Sequence, residues 1–474
     1  MAEALWTLRE VVKAAGGEII GSPPHAFTGV SIDSRTVRPG EIFVAIRGDT
    51  HDGHDFVSAA HKAGAGLAVV SRQTPEMAAG GGLLVVDDPL KALERLGIAA
   101  RARSQAQIVA VTGSVGKTGT KEALRLCLSA SGETHASAAS YNNHWGVPLS
   151  LARLSSTARF AVFEIGMNHA GEITPLVAMV RPHIAIITTI APVHLGPLGS
   201  IEAIADAKAE IFTGLEPKGV AILNRDIGQF ERLEAAAKAA GVKRIVTFGE
   251  HEAADARLRQ AGVKEICTIV QARILGQDVT YRVGAPGRHI AVNSLAVLAA
   301  IKCAGGDLAL GALKLRELEP PKGRGARFKL RTRDGDITVI DESYNANPVS
   351  MRAALALLGH STPGPGGRRI AVMGDMLELG PESRRFHGDL AGAIDAAGVD
   401  VVYACGPDMK SLWDALRHDQ RGYYATSSQD LADPLLDGIR AGDVIMVKGS
   451  LGSRMGLLID ALRRNFAEIE ANAA

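Results

Sequence analysis

The run Val109-Ala-Val-Thr-Gly-Ser-Val-Gly-Lys-Thr118 constrains this chain more than any other stretch. An apolar segment enters a glycine turn, and Gly116-Lys117-Thr118 leads into Lys121 to Leu128, whose apolar residues recur at helical spacing. Strand, glycine loop and helix start, in that order, make a phosphate cradle. Backbone N–H groups and the helix N-terminus face the anion, Lys117 adds a point charge, and the Thr118 hydroxyl suits Mg²⁺. Gly113, Ser114, Val115, Gly116, Lys117 and Thr118 are therefore the candidate phosphate contacts, and a nucleoside triphosphate is the expected ligand. The loop is irregular, because the position that usually carries the early glycine is Val111 and the glycine stands two residues later, at Gly113. The shortening reads either as a weakened loop or as the form of a subgroup.

At 474 residues the chain exceeds one ordinary core, and roughly three domains are expected. Lys and Arg number 52 against 51 Asp and Glu, so no bulk field draws nucleic acid or a membrane surface. Cys127, Cys267, Cys303 and Cys405 are far apart and form no Cys-x-x-Cys pair. They speak against a zinc site and a disulfide framework, and fit a reducing cytoplasm. Met1 to Glu10 lacks the apolar core of a signal peptide, and apolar runs such as Ile184 to Ile190 are far too short to span a bilayer.

Short strand-like runs (Glu41 to Ile46, Leu67 to Val70, Leu83 to Val86) and a helix-like stretch near Phe56 to Ala63 fill residues 1–104. The charged stretch Arg101 to Ser104 reads as a boundary. From residue 105 to 318, apolar strands (Phe160 to Ile165, His183 to Thr189, Val220 to Leu223, Arg244 to Phe248) alternate with amphipathic helices, the pattern of a parallel α/β sheet. Glu319-Pro-Pro-Lys-Gly-Arg-Gly325 reads as a linker, and a second α/β series occupies 319–474.

Several residues stand where an open parallel sheet gathers ligands, at strand carboxyl ends. Glu164 ends Ala161 to Gly166 and suits Mg²⁺ beside a phosphate loop, against the alternative of a loop carboxylate or cap. His194 follows Ile184 to Ile190, and position alone leaves it between a functional group and a satisfied loop histidine. Lys208 falls on the apolar stripe Ile201, Ile204, Ile211, Phe212, Leu215 of a helix capped by Ser200. Burial would lower its pKa and let the neutral amine take up CO₂ as a carbamate; the competing reading is a snorkelling lysine. Asn224-Arg-Asp226 misplaces the acid of a guanine-reading motif by one residue. Pro286 to His289 with Asn293 opens a helix that either faces a nucleotide base or is ordinary capping. Asp341 to Pro348, Gly374 to Gly380 and Lys448 to Ser450 are three polar loops expected on one sheet edge, with Asn347 and Pro348 suiting a helix N-cap and first turn. Near the N-terminus, Asp33 to Arg35, Arg38 to Gly40, Arg47-Gly48 and Asp52 to His54 suit either an anionic ligand such as a diphosphate or plain turn chemistry.

Taken together, these stretches resemble the Mur ligase family of ATP-dependent amide-bond-forming enzymes along the whole chain. Asn142-Asn-His-Trp-Gly-Val-Pro148, Glu164-Ile-Gly-Met-Asn-His169, Ala207-Lys208-Ala-Glu-Ile211 and Gly287-Arg-His-Ile-Ala-Val-Asn293 carry the resemblance beside the phosphate loop, whose shortened form is the family's own. Asp341 to Pro348 and Gly374 to Gly380 are similar to the branch that adds D-alanyl-D-alanine to UDP-N-acetylmuramoyl-tripeptide. The resemblance implies a three-domain α/β fold: a small UDP-sugar domain (1–104), a central phosphate-loop ATPase domain (105–318) and a Rossmann-like domain for the amino substrate (319–474). It implies ATP and two Mg²⁺ ions, with Lys117 and Thr118 at the phosphates, Glu164 and His194 as magnesium ligands, and Lys208 carbamylated. Asn293, Arg324, Asp341 and Asn345 would contact the nucleotide. Asp33, Ser34, Arg35, Arg47 and Gly48 would hold the UDP-sugar, and Asn347 would lie near the dipeptide. It further implies a cytoplasmic monomer acting in peptidoglycan precursor synthesis. Gly119, where relatives place a hydroxyl, and His144-Trp145 depart from the family pattern. The rival readings are another Mur-type or folylpolyglutamate-type ligase, a phosphate-loop kinase, and a noncatalytic nucleotide-binding regulator.

Overall fold

The computed structural model describes residues 4–48, 50–138, 140–193 and 195–469. Among these, the strands form three large sheets and a two-stranded ribbon. The first sheet has five strands, ordered Glu18–Ile20, Leu83–Val85, Leu67–Val70, Glu41–Val44 and Gly29–Ser31. All its pairs are parallel except the first.

The central sheet runs, from one edge, Thr134–Ala136, Phe160–Glu164, Gln107–Thr112, Ile184–Ile187, Val220–Asn224 and Arg244–Gly249, all parallel. The inner strands Phe160–Glu164, Ile184–Ile187 and Val220–Asn224 are buried on both faces, as continuous apolar runs require. Three further strands, Ala256–Val263, Thr268–Ile274 and Gln277–Val283, extend the sheet; the pairs within this extension are antiparallel. The extension lay outside the sequence expectation, although Thr268–Ile274 alternates buried and exposed at every position.

The third sheet orders Arg421–Ala425, Val401–Cys405, Arg369–Gly374, Val444–Lys448 and Asp336–Glu342 in parallel, then adds the antiparallel strands Ala326–Arg331 and Ala467–Ile469. The expected three α/β layers are thus present, each with an antiparallel edge. Among the described residues no helix is long and apolar enough to cross a membrane.

Arg101 and Arg103, in the charged stretch before the phosphate strand, are held in place by the protein. They end the helix Pro89–Arg103, and Arg101 is buried. Its Nε donates to the Val180 carbonyl at 2.7 Å and its Nη2 to the Arg181 carbonyl at 2.8 Å. Arg103 Nη2 donates to the Leu5 carbonyl and its guanidinium covers the Trp6 ring, 3.9 Å from the centroid. One apolar core therefore runs from Trp6, Val11 and Phe27 through Leu93 and Leu96 to Val147 and Phe163. Arg101→Ala would strip two carbonyls of their donor and is expected to cost about 2 kcal/mol. Urea unfolding checks this: an unchanged midpoint would show that the clamp does not hold the first and central sheets together.

Candidate nucleotide and metal site

The phosphate strand Gln107–Thr112 ends in a loop that glycine alone permits. Gly113 has φ 143° and a Cβ there would collide with Thr188 Oγ1. Gly116 has φ 89°, and its Cβ would come within 2.6 Å of Asn293 Nδ2. The helix Lys117–Leu128 follows at once. Loop and sheet are tied by Ser114, whose N–H donates to the Thr189 carbonyl at 2.8 Å and whose Oγ donates to the Ala191 carbonyl at 3.1 Å. Thr188 Oγ1 donates to the Val115 carbonyl at 2.6 Å, and Asn224 Nδ2 donates to the Thr188 carbonyl at 2.9 Å. Asn224 is thus a strut, and Asp226 caps a turn by accepting from the N–H groups of Glu250 and His251.

Lys117 folds back so that its Nζ donates to the Gly113 carbonyl at 2.7 Å. Burial pulls its pKa down, Glu164 opposes this, and Arg324 adds to it. That coupling sets Arg324, within the Pro-rich linker, near the phosphate loop. The Arg324 guanidinium lies over the Tyr344 ring, 4.4 Å from the centroid.

Glu164 ends its strand in register with Val111, beside the start of the loop. Its Oε1 accepts from Asn142 Nδ2 at 2.7 Å, whereas its Oε2 is buried without a partner. Thr118 Oγ1 is likewise buried without a partner. A carboxylate oxygen and a hydroxyl oxygen, each shielded from water and unsatisfied, suit a hard divalent cation at bound phosphates. His194 lies outside the described residues. Lys208, on the helix Ile201–Ala209 capped by Ser200, is 2% exposed. Burial, then Lys117, hold its pKa well below the usual lysine range. The stripe therefore places a buried amine, not a snorkelling one. Gly119 leaves open space, with nothing within 4 Å of a Cβ built there.

The three polar loops of the last sheet do meet. Lys448 Nζ donates to Glu342 Oε2 at 3.1 Å and to the Asn345 carbonyl at 2.9 Å. Ser450 N–H donates to the Asp375 carbonyl at 3.0 Å, and Leu377 N–H to Ser450 Oγ at 2.9 Å. Asp341 Oδ1 accepts from Ser343 Oγ at 2.6 Å. Asn345 Oδ1 accepts from Ala346 N–H, and Asn347 caps the helix Pro348–Gly359 by accepting from Ser350 N–H at 2.9 Å. His289 is close enough to these loops to feel their charges: desolvation lowers its pKa, Glu342 opposes and Lys448 adds.

In the first sheet, Asp33 accepts from Arg35 Nη2 at 2.7 Å, which holds the carboxyl below its usual range. Arg35 itself is 86% exposed, and Ser34 completes the turn in which Thr36 N–H reaches the Asp33 carbonyl. The Arg47 backbone pairs with that of Asp52 in an isolated antiparallel β-bridge, and Gly48 N–H donates to the His51 carbonyl. His54 is no anion contact. It is buried, its Nδ1–H donates to Asp52 at 2.6 Å, and its Nε2 accepts from Ser71 N–H at 2.9 Å. Asn142 was not singled out as a site residue from sequence; the paired asparagines before Gly146 were its signal. Trp145, beside it, is exposed.

Three family models match the chain in order: "Mur ligase family, catalytic domain" over 26–103, "Mur ligase middle domain" over 111–301, and "Mur ligase, glutamate ligase domain" over 326–451. The UDP-N-acetylmuramoyl-tripeptide--D-alanyl-D-alanine ligase of Rickettsia prowazekii is 32% identical, covering 96% of this chain and 99% of its own. The crystal structure of MurF from Acinetobacter baumannii is 29% identical with TM-score 0.83, covering 98% and 99% of the two chains. MurF ligase from Thermotoga maritima in complex with ADP is 25% identical with TM-score 0.74, covering 92% and 97%.

Replacing Lys208 by Met removes a buried amine beside Lys117. At pH 7 the unfolded lysine is protonated while the native one resists its proton, so Lys208 lowers stability there, and the effect fades as pH rises toward the unfolded value near ~10.5. Lys208→Met is expected to be at least as stable as the parent at pH 7 in CO₂-free buffer, with the gain shrinking by pH 10. Denaturation midpoints across that range test it; a less stable variant at pH 7 would contradict it.

Proposed function

The chain belongs to the Mur ligase family, and we propose that it joins D-alanyl-D-alanine to UDP-N-acetylmuramoyl-tripeptide with hydrolysis of ATP to ADP and phosphate. The near-complete overlap with a ligase of that name carries the reading. It is an ATP-dependent amide-bond ligase of peptidoglycan precursor synthesis.

The terminal carboxylate of the tripeptide attacks the γ-phosphorus of ATP, and the bond to the β-phosphate oxygen breaks to give an acyl phosphate and ADP. Lys117 and the loop N–H groups of 115–118 hold the transferring group and face the charge that spreads over its oxygens. The neutral amine of the dipeptide attacks the acyl carbon, phosphate leaves with the bonding pair, and the amine sheds a proton. No protein nucleophile is needed, so the work of the chain is positioning. Thr118 and Glu164, with their unsatisfied oxygens, would hold Mg²⁺, together with His194 and a carbamate on Lys208. The ions supply charge neutralisation at the phosphates. Burial of Lys208 supports the carbamate: its amine, held neutral, adds to CO₂ and releases one proton.

Asn293, beside Gly116, and Arg324, coupled to Lys117, frame the nucleotide, with Asp341 and Asn345 from the last sheet. Asp33, Ser34, Arg35, Arg47 and Gly48 take the UDP-sugar in residues 1–104. The loop containing Asn347 takes the dipeptide in 319–474, and residues 105–318 form the ATPase. Balanced charge and free cysteines support a cytoplasmic enzyme, and one chain carries groups for all three substrates, which supports a monomer.

Phosphate release is expected only when ATP, UDP-muramoyl-tripeptide and D-alanyl-D-alanine are all present. Release without the dipeptide would favour a kinase or hydrolase, and activity on a folate substrate would favour the other ligase branch. Lys208→Ala should lose more than about a hundredfold in turnover, as an ablated preorganised electrostatic group does. Millimolar acetate or formate should restore part of it, and an active Lys208→Ala would remove the carbamate role.

A further inference from the structure

The antiparallel extension of the central sheet carries three arginines on one face. Arg257 and Arg259 stand two apart on Ala256–Val263, and Arg273 on Thr268–Ile274 is the register partner of Arg257. The intervening residues Ala256, Leu258, Ala272 and Ile274 are buried in the core with the helix Arg288–Cys303, so the arginines face away from that helix. A bulge at Arg259 breaks the ladder beside them. With Glu252, Asp255 and Gly276 among its lining residues, the three line one side of an open depression of about 510 Å³.

As it stands, this arrangement is unfavourable. Like charges directly opposite one another on antiparallel strands destabilise the pair. Among the described residues, none of the three guanidiniums has an ion pair, and Arg257 Nε is buried without a hydrogen bond. The nearby carboxylates do not compensate. Asp255 Oδ2 already accepts from Thr247 N–H at 2.8 Å and Thr247 Oγ1 at 2.7 Å. Asp278 is the register partner of Arg273 on its other side but lies beyond ion-pair distance.

We propose that this depression binds the phosphoryl group of a small anion, at a site separate from the phosphate loop. Guanidinium forks match the geometry of phosphate oxygens, and converging forks favour a multiply charged oxyanion over a single carboxylate. The volume falls in the range of small-ligand sites, roughly 300–1,000 Å³. The site cannot be a second view of the nucleotide site. Four strand spacings, about 19 Å, separate Ala256–Val263 from the phosphate strand. The arginines also lie on the face opposite the helix that carries Asn293.

Isothermal titration of the full-length protein tests this, with ADP at saturation to occupy the phosphate loop and ionic strength held constant with chloride. Inorganic phosphate and AMP are the two probes. Saturable binding of inorganic phosphate, of AMP, or of both is expected, and which of them binds tells a free ion from a nucleotide-borne phosphoryl group. In the double variant Arg257→Gln, Arg273→Gln the affinity should fall about tenfold or more, the loss that goes with one charge-assisted hydrogen bond. Relief of the charge repulsion should leave the variant folded, with an unchanged or higher melting temperature in phosphate-free buffer and unchanged ADP affinity. The parent's rise in melting temperature with the bound probe should be lost in it. Equal affinity in parent and variant, or no saturable binding of either probe to the parent, would overturn the proposal.

Discussion

A half-buried lysine, a buried lysine and a buried carboxylate lie within each other's field at the carboxyl edge of the central sheet, and much of the surrounding architecture serves to keep them there. Lys117 feels Glu164 as an attraction and Lys208 feels Lys117 as a repulsion. Such a cluster lowers the stability of an isolated fold, because charged groups away from water need partners. The chain supplies some of them: the Gly113 carbonyl for Lys117 and the Asn142 amide for one oxygen of Glu164. It withholds others, leaving Glu164 Oε2 and Thr118 Oγ1 without any. Polar groups left unsatisfied in this way are stored binding capacity for a ligand carrying both phosphate and cation.

The scaffold around the cluster is correspondingly stiff. Six parallel strands, the inner ones buried on both faces, fix the loop ends, and Ser114, Thr188 and Asn224 stitch the loop to the two strands beside it. The third sheet meets this edge through Arg324, and His289 reaches toward the Glu342–Lys448 pair. Ligand chemistry thus sits where two sheets face each other, the setting in which substrate-driven closure assembles a site.

The legible parts of this chain were those whose chemistry is local. A glycine loop between strand and helix needs its glycines at fixed places, so Gly113 to Thr118 could be read residue by residue. The Lys208 stripe could be read too, because helical spacing alone puts that side chain among Ile204 and Ile211. Charge left the role open where burial decides it. Arg101, legible only as part of a charged stretch, is a buried clamp; His54, open between an anion contact and turn chemistry, is locked between Asp52 and Ser71. The antiparallel extension escaped notice despite the alternation of Thr268–Ile274, since the parallel pattern around it dominates. Asn142 and Arg324 acquire their positions only from contacts across 22 residues and across two sheets, which no local pattern encodes.

The unsatisfied oxygens of Glu164 and Thr118 are the proposed seat of a divalent cation at the nucleotide phosphates. Electron paramagnetic resonance of Mn²⁺ bound in the presence of ADP tests it most directly. The parent should show tightly bound Mn²⁺ that depends on ADP, and Glu164→Gln should lose that signal while still binding ADP. Mn²⁺ held as tightly by Glu164→Gln as by the parent would contradict the account.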